Sequence, residues 1–122
     1  MAWQFNPSEA VFVQIARRLR NDVLSGKYLP DEQFPSVRQL AEDVAVNPNT
    51  VQKALMLLEQ EGILCTRGTV GRFVTSDISV IESARTRMQR EAVKRLLSET
   101  RALGITKDDL IKYIEEEDGE NE

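Results

Sequence analysis

Histidine is absent from this 122-residue chain and cysteine occurs once. Without an imidazole no side chain is poised to trade protons near neutral pH, and one thiol makes neither an internal disulfide nor a thiolate metal cluster. Cys65 is expected to be a small core residue in a strand. No run of 18 or more apolar residues occurs and the N-terminus lacks a signal-peptide pattern, so a cytoplasmic protein without a membrane partner is expected. The adjacent carboxylates Asp108 and Asp109 point different ways on a helix. Gly68-Thr-Val-Gly71 lacks the Lys-Ser/Thr ending of a phosphate loop and opens no helix. Neither an enzyme nor a cofactor is expected.

An excess of positive charge is missing as well. The net charge is −4, with 8 Lys+Arg against 8 Asp+Glu in residues 1–75 and 8 against 12 in residues 76–122. A polyanion-binding function in the neutral half has to rest on a few placed cations and on two copies per site. The acidic run from Glu115 to Glu122 reads as a disordered, solubilising end.

What is present is a pair of short amphipathic helices from Pro35 to Gly62. Ser36 reads as the N-cap of the first, with Gln39 at N3 of a capping box. Val37, Leu40, Ala41 and Val44 follow on one helical face. The second opens on Asn47-Pro48, an N-cap followed by a proline whose missing N–H has no helical partner anyway. Val51, Ala54, Leu55 and Leu58 repeat the apolar spacing and Gly62 supplies a C′ stop. Ala45 and Val46 must turn the chain sharply if both stripes share one core. This is the layout of a helix-turn-helix, whose second helix enters the DNA major groove.

The remaining faces carry the chemistry. Asn49, Gln52, Lys53 and Met56 lie off the apolar stripe of the second helix, with Thr50 at its edge. Asn and Gln match adenine edges, Lys reaches guanine or phosphate, and a methyl group meets thymine; each is equally readable as a solvated polar residue. Arg38 stands in a first helical turn, against the macrodipole, and so points to a phosphate or base partner.

Two β-prone runs then flank the Gly68–Gly71 turn as a hairpin, with Arg67 and Arg72 beside it. Such a wing sends a basic loop toward the minor groove or backbone. Upstream, Ser8 or Asn6 is expected to cap a helix running to about Ser25, with Val11, Ile15, Leu19 and Val23 on its apolar face. Lys27 to Phe34 reads as a turn-rich connector, and Trp3 with Phe5 as a flap.

Phe34-Pro-Ser-Val-Arg-Gln-Leu-Ala, Val46-Asn-Pro-Asn-Thr-Val-Gln-Lys-Ala-Leu and Gly71-Arg-Phe-Val74 together resemble the GntR family of bacterial transcription regulators. The Asn-Pro-Asn-Thr turn and the short length look like its YtrA subfamily. The resemblance covers residues 8–75. It implies DNA contacts from Ser36 and Arg38, from Asn47, Asn49, Thr50 and Gln52 at the start of the recognition helix, and from Gly71 and Arg72 at the wing tip. Relatives often carry arginine where this chain has Pro48 and Gln52, and Pro-Gly where it has Pro30-Asp31. The resemblance also implies a repressor of a transport or stress operon. It leaves room for a small-molecule effector that no residue cluster here identifies.

The expected fold is mostly α with a small β-hairpin wing: a winged helix-turn-helix over residues 1–75, then a two-helix dimerisation tail over 76–122. In the tail, Ser79 with Glu82 reads as a capping box. Ile81, Ala84, Met88, Ala92, Leu96 and Leu103 line one side of a long helix that stops at Gly104. Thr106 with Asp109 caps a last helix bearing Leu110, Ile111 and Ile114. That much apolar surface implies a homodimer, acting on a two-fold symmetric operator; packing back onto the first domain is the alternative. A second reading keeps the winged helix as a protein-interaction module without sequence-specific DNA binding.

Overall fold

The computed structural model describes residues 3–119. Five helices and one hairpin follow in chain order: α1 (Val11–Leu24), α2 (Val37–Val44), α3 (Pro48–Gln60), β1 (Leu64–Arg67), β2 (Gly71–Val74), α4 (Ile78–Ala102) and α5 (Lys107–Asp118). The chain divides into two compact units between Arg85 and Thr86, past the boundary expected at residue 75.

In the first unit the apolar faces of α1, α2 and α3 share one core. Ile15, Leu19, Leu55 and Leu58 are almost completely buried, with Val44, Val51, Ile63, Leu64 and Val74. Truncating a leucine in such a setting costs about 2–5 kcal/mol, because the cavity left behind collapses only partly. The expected caps of the helix-turn-helix are present: Ser36 Oγ accepts from the Gln39 amide at 3.1 Å and Asn47 Oδ1 from the Asn49 amide at 2.7 Å. After α3, Gly62 N–H donates to Glu59 O and Ile63 N–H to Leu58 O, the Schellman pattern in which a left-handed residue satisfies two orphan carbonyls.

Between α2 and α3 the sharp turn is made by Ala45, whose φ of 63° places a Cβ-bearing residue in the left-handed region. Its amide and that of Val46 both donate to Ala41 O. With only three residues between the helices, this turn lets the apolar stripe of α2 pack against α3.

Several local expectations are corrected. Helix α1 starts at Val11 with Ala10 as N-cap and no side-chain cap. Asn6 instead accepts from Ser8, while Gln14 reaches back with its amide to Asn6 O and Glu9 O. Helix α4 is capped by Asp77 rather than Ser79: one Asp77 oxygen accepts from both the amide and the hydroxyl of Ser79. Those bonds hold the Asp77 carboxyl below the usual range. Cys65 is half-buried instead of in the core. The connector is not merely turns. Gln33 bridges to Phe73, and Asp31 N–H, Phe34 N–H and Glu32 O bond across to the backbone of Val74 and Arg72, so it flanks β2 on the side away from β1.

Ile81 and Ala84, expected in a dimer seam, are 4% and 3% exposed within the first unit. The opening turns of α4 pack against this core, and Arg85 Nε donates to Leu24 O at the end of α1 at 3.0 Å. That contact carries the unit past residue 75.

The second unit holds the rest of α4 and α5. Gly104 (φ 77°) and Ile105 donate to Arg101 O and Thr100 O, completing the expected stop of α4. Thr106 Oγ1 accepts from Asp109 N–H and caps α5. No residue of α5 is buried. Of the expected seam, Met88 and Leu110 are half-buried, whereas Ala92, Leu96, Leu103 and Ile114 are exposed, Leu103 at 78%. Glu115 to Asp118, expected to be disordered, form the last turn of α5; Glu120, Asn121 and Glu122 of that acidic run lie outside the described residues.

Candidate nucleic-acid interface

Helices α2 and α3 each begin without a carboxylate in the first turn, unlike α5, which carries Asp108 and Asp109 there. The positive ends of their macrodipoles are therefore left uncompensated, an arrangement that favours an anion in front of them. Arg38, in the first turn of α2, has a side chain 91% exposed and lies 3.7 Å from Glu42. A pair this open in water contributes little and leaves the guanidinium available.

Along α3, Asn49 and Lys53 are exposed and Thr50 and Gln52 half-buried. Asn47 uses its carbonyl oxygen for the cap, which keeps its NH₂ for an outside acceptor. Lys53 Nζ lies 5.9 Å from the centre of the Phe12 ring, and Met56, three residues further along α3, is exposed. Ser36 Oγ is committed to its cap and retains one donor proton. On α3 itself Asn49, Lys53 and Met56 lie opposite the buried stripe, with Thr50 and Gln52 at its flanks.

The wing differs from the reading of its arginines. Cys65 pairs with Phe73, Thr66 with Arg72 and Arg67 with Gly71. Arg72 turns back and donates through Nε to Glu59 Oε1 on α3. Arg67 ion-pairs with Asp31 and stacks 4.4 Å from the Phe73 ring centre. The turn itself is uncharged, with Val70 65% exposed at its tip. Gly71 has φ 135°, and a Cβ there would stand 3.2 Å from Gln33 Nε2, the atom that donates to Val70 O at 3.0 Å. The positive φ is what calls for glycine; a side chain would in addition have to displace the end of Gln33.

Elsewhere in the first unit Arg17, Arg20 and Lys27 are paired with Glu9, Glu61 and Asp22, and Arg18 stacks 4.1 Å over Trp3. The cations left facing outward on the helix-turn-helix are Arg38 and Lys53. Sequence reasoning missed Asp31, Gln33, Glu59 and Thr66, which hold the wing. Their partners lie between 7 and 37 residues away, and no local pattern announces them.

Comparison with known proteins agrees with this architecture. Residues 12–74 match the model of the bacterial regulatory proteins, gntR family. The HTH-type transcriptional regulator YhcF of Bacillus subtilis is 30% identical over 111 residues, covering 91% of this chain and 92% of that protein. The HTH-type transcriptional repressor YtrA of the same organism is 32% identical over 111 residues, covering 89% and 85%. A solved GntR family transcriptional regulator from Listeria monocytogenes superposes with a TM-score of 0.87 at 29% identity, over 92% of this chain and 98% of that one. With the winged helix-turn-helix expected from the sequence and found in the fold, the chain belongs to the GntR family of bacterial transcriptional regulators.

Proposed function

We propose that this regulator acts as a homodimeric repressor on a two-fold symmetric operator, each α3 reading one half-site in the major groove. The observation that carries the reading is the exposed apolar seam of the second unit. Ala92, Leu96, Leu103 and Ile114 face solvent, and past Arg85 Thr100 alone among the described residues is buried. A second copy covers such a seam with the same residues. Ile81 and Ala84 do not take part, because the first unit already buries them.

On the DNA side, Arg38 and Lys53 supply charge, while Asn47, Asn49, Thr50 and Gln52 supply base-edge donors and acceptors. The repressor assignment is supported by the similarity to YtrA. No helix among the described residues is long and apolar enough to cross a membrane, in keeping with a cytoplasmic site of action. A transport or stress operon is the proposed target.

The test is DNA-affinity sequencing: purified protein, fragmented genomic DNA and sequencing of what is retained at physiological salt. An enriched palindrome establishes the operator and names the operon. Retention of nothing above background, with and without metabolite extract, overturns the reading in favour of a protein-interaction module.

A further inference from the structure

Glu59 stands in the last turn of α3, and Thr66 and Arg72 face each other across the wing, one on β1 and one on β2. The Glu59 carboxylate accepts from both. Oε1 takes Arg72 Nε and Oε2 takes Thr66 Oγ1 at 2.9 Å. One charged group on the recognition helix thus holds one donor from each strand. The side chains of Arg72 and Glu59 are only 18% and 27% exposed, unlike Arg38. Burial alone would push the Glu59 carboxyl up. The bonds from Arg72 and Thr66 outweigh it and hold the group below the usual range, so the clamp is charged at neutral pH.

The connector already bonds to β2; the Glu59 carboxylate adds a tie from both strands to α3, and a wing left more mobile loses more freedom when it docks, which weakens binding. From the shared carboxylate we infer that Glu59 is a positioning residue, fixing the wing against α3, and that Arg72 acts through this clamp and not as a phosphate ligand. The inference rests on the proposed DNA-reading role of α3 and the wing. It also accounts for an uncharged wing tip: with Arg67 held by Asp31 as well, the wing offers its backbone, Thr69 and Val70 to the duplex.

The experiment measures affinity and its salt dependence for the full-length wild type, Glu59→Gln, Arg72→Gln, Thr66→Val and the Glu59→Gln/Arg72→Gln double variant. The probe is a duplex recovered from a random-sequence pool by the wild type. Amide exchange in β1 and β2 is followed in the absence of DNA. A positioning role predicts that Glu59→Gln and Arg72→Gln each weaken binding roughly tenfold, that the double variant is no weaker than either, and that the slope of log affinity against log salt is unchanged. Thr66→Val follows more mildly, and strand amides exchange faster in all four. A phosphate ligand predicts the opposite pattern: Arg72→Gln flattens the slope by about 0.9, and Glu59→Gln tightens binding by freeing the guanidinium. Either that pattern or an unaffected Glu59→Gln overturns the inference. If the wild type recovers no duplex, the DNA reading fails on its own, and unchanged strand exchange in the variants then overturns the clamp separately.

Discussion

Arg20 on α1 and Glu61 at the end of α3 meet through two parallel hydrogen bonds, Nε to Oε1 at 2.7 Å and Nη2 to Oε2 at 2.6 Å. The fork-to-carboxylate geometry is the strong form of ion pair, and at 13% and 24% exposure it is shielded from water. Arg20→Met leaves Glu61 half-buried without a counter-charge and is expected to cost about 1.5–3 kcal/mol of stability. Combining it with Glu61→Leu recovers part of that loss, because replacing both partners removes the orphaned charge. Urea denaturation of the two variants checks both statements.

Ala45 sits at φ 63° and is exposed. A Cβ in the left-handed region costs about 1–2 kcal/mol, against roughly 0.5–1 kcal/mol of extra chain entropy for glycine. Ala45→Gly is therefore expected to raise stability by about 0.5 kcal/mol, read as a higher melting midpoint. A lower midpoint would mean that the methyl group makes a contact the turn needs.

Arg38 and Gln52 are expected to fail in different ways. Arg38→Ala, at a side chain 91% exposed, should leave stability within about 0.5 kcal/mol, weaken binding to all duplexes and lower the salt slope by about 0.9. Gln52→Ala should instead relax the preference at one base position per half-site, costing about 1–3 kcal/mol on the preferred sequence and less on others. Binding-site selection with each variant separates the two.

Leu96→Glu places a charge in the exposed seam of α4. The first unit holds its own core and should stay folded. Sedimentation equilibrium is expected to show a monomer, and affinity for a full palindrome should fall to that for a half-site. A variant that sediments as the wild type does would exclude this seam from the interface.

Acid should release the wing. Burial raises the Glu59 carboxyl, and the bonds from Arg72 and Thr66 more than reverse that, so its native value lies below the ordinary one. The unfolded state therefore binds the proton more readily. The stabilisation is complete above the ordinary glutamate value of about 4.3 and is lost as pH falls through the lower native value. Carboxyl carbon shifts should report Glu59 titrating below that ordinary value, and Arg72→Gln should move it upward.

Much of this molecule is written in short-range chemistry. Ser36, Asn47-Pro48, Gly62, Gly104 and Thr106 act within five residues of themselves, so the N-caps of α2, α3 and α5 and the stops of α3 and α4 are legible along the chain. The period of Val51, Ala54, Leu55 and Leu58 likewise declares which side of α3 is buried and which carries Gln52 and Lys53. At α4 even local reading failed, because Asp77 rather than Ser79 takes the orphan amide; at α1 it failed because Asn6 bonds to Ser8 and no side chain caps the helix.

Pairings across the chain were decided by the tertiary structure alone. Nothing near Arg72 or Arg67 states that Glu59 and Asp31 will claim them, or that Arg85 will reach Leu24 O and draw Ile81 and Ala84 into the first core. The physical reason is reach. A cap is satisfied by atoms the backbone already holds within one turn, whereas a charged side chain takes whichever partner the packed core brings within hydrogen-bonding distance. Residue types and local spacing therefore determined the elements and their faces. Packing determined which cations remain to meet DNA.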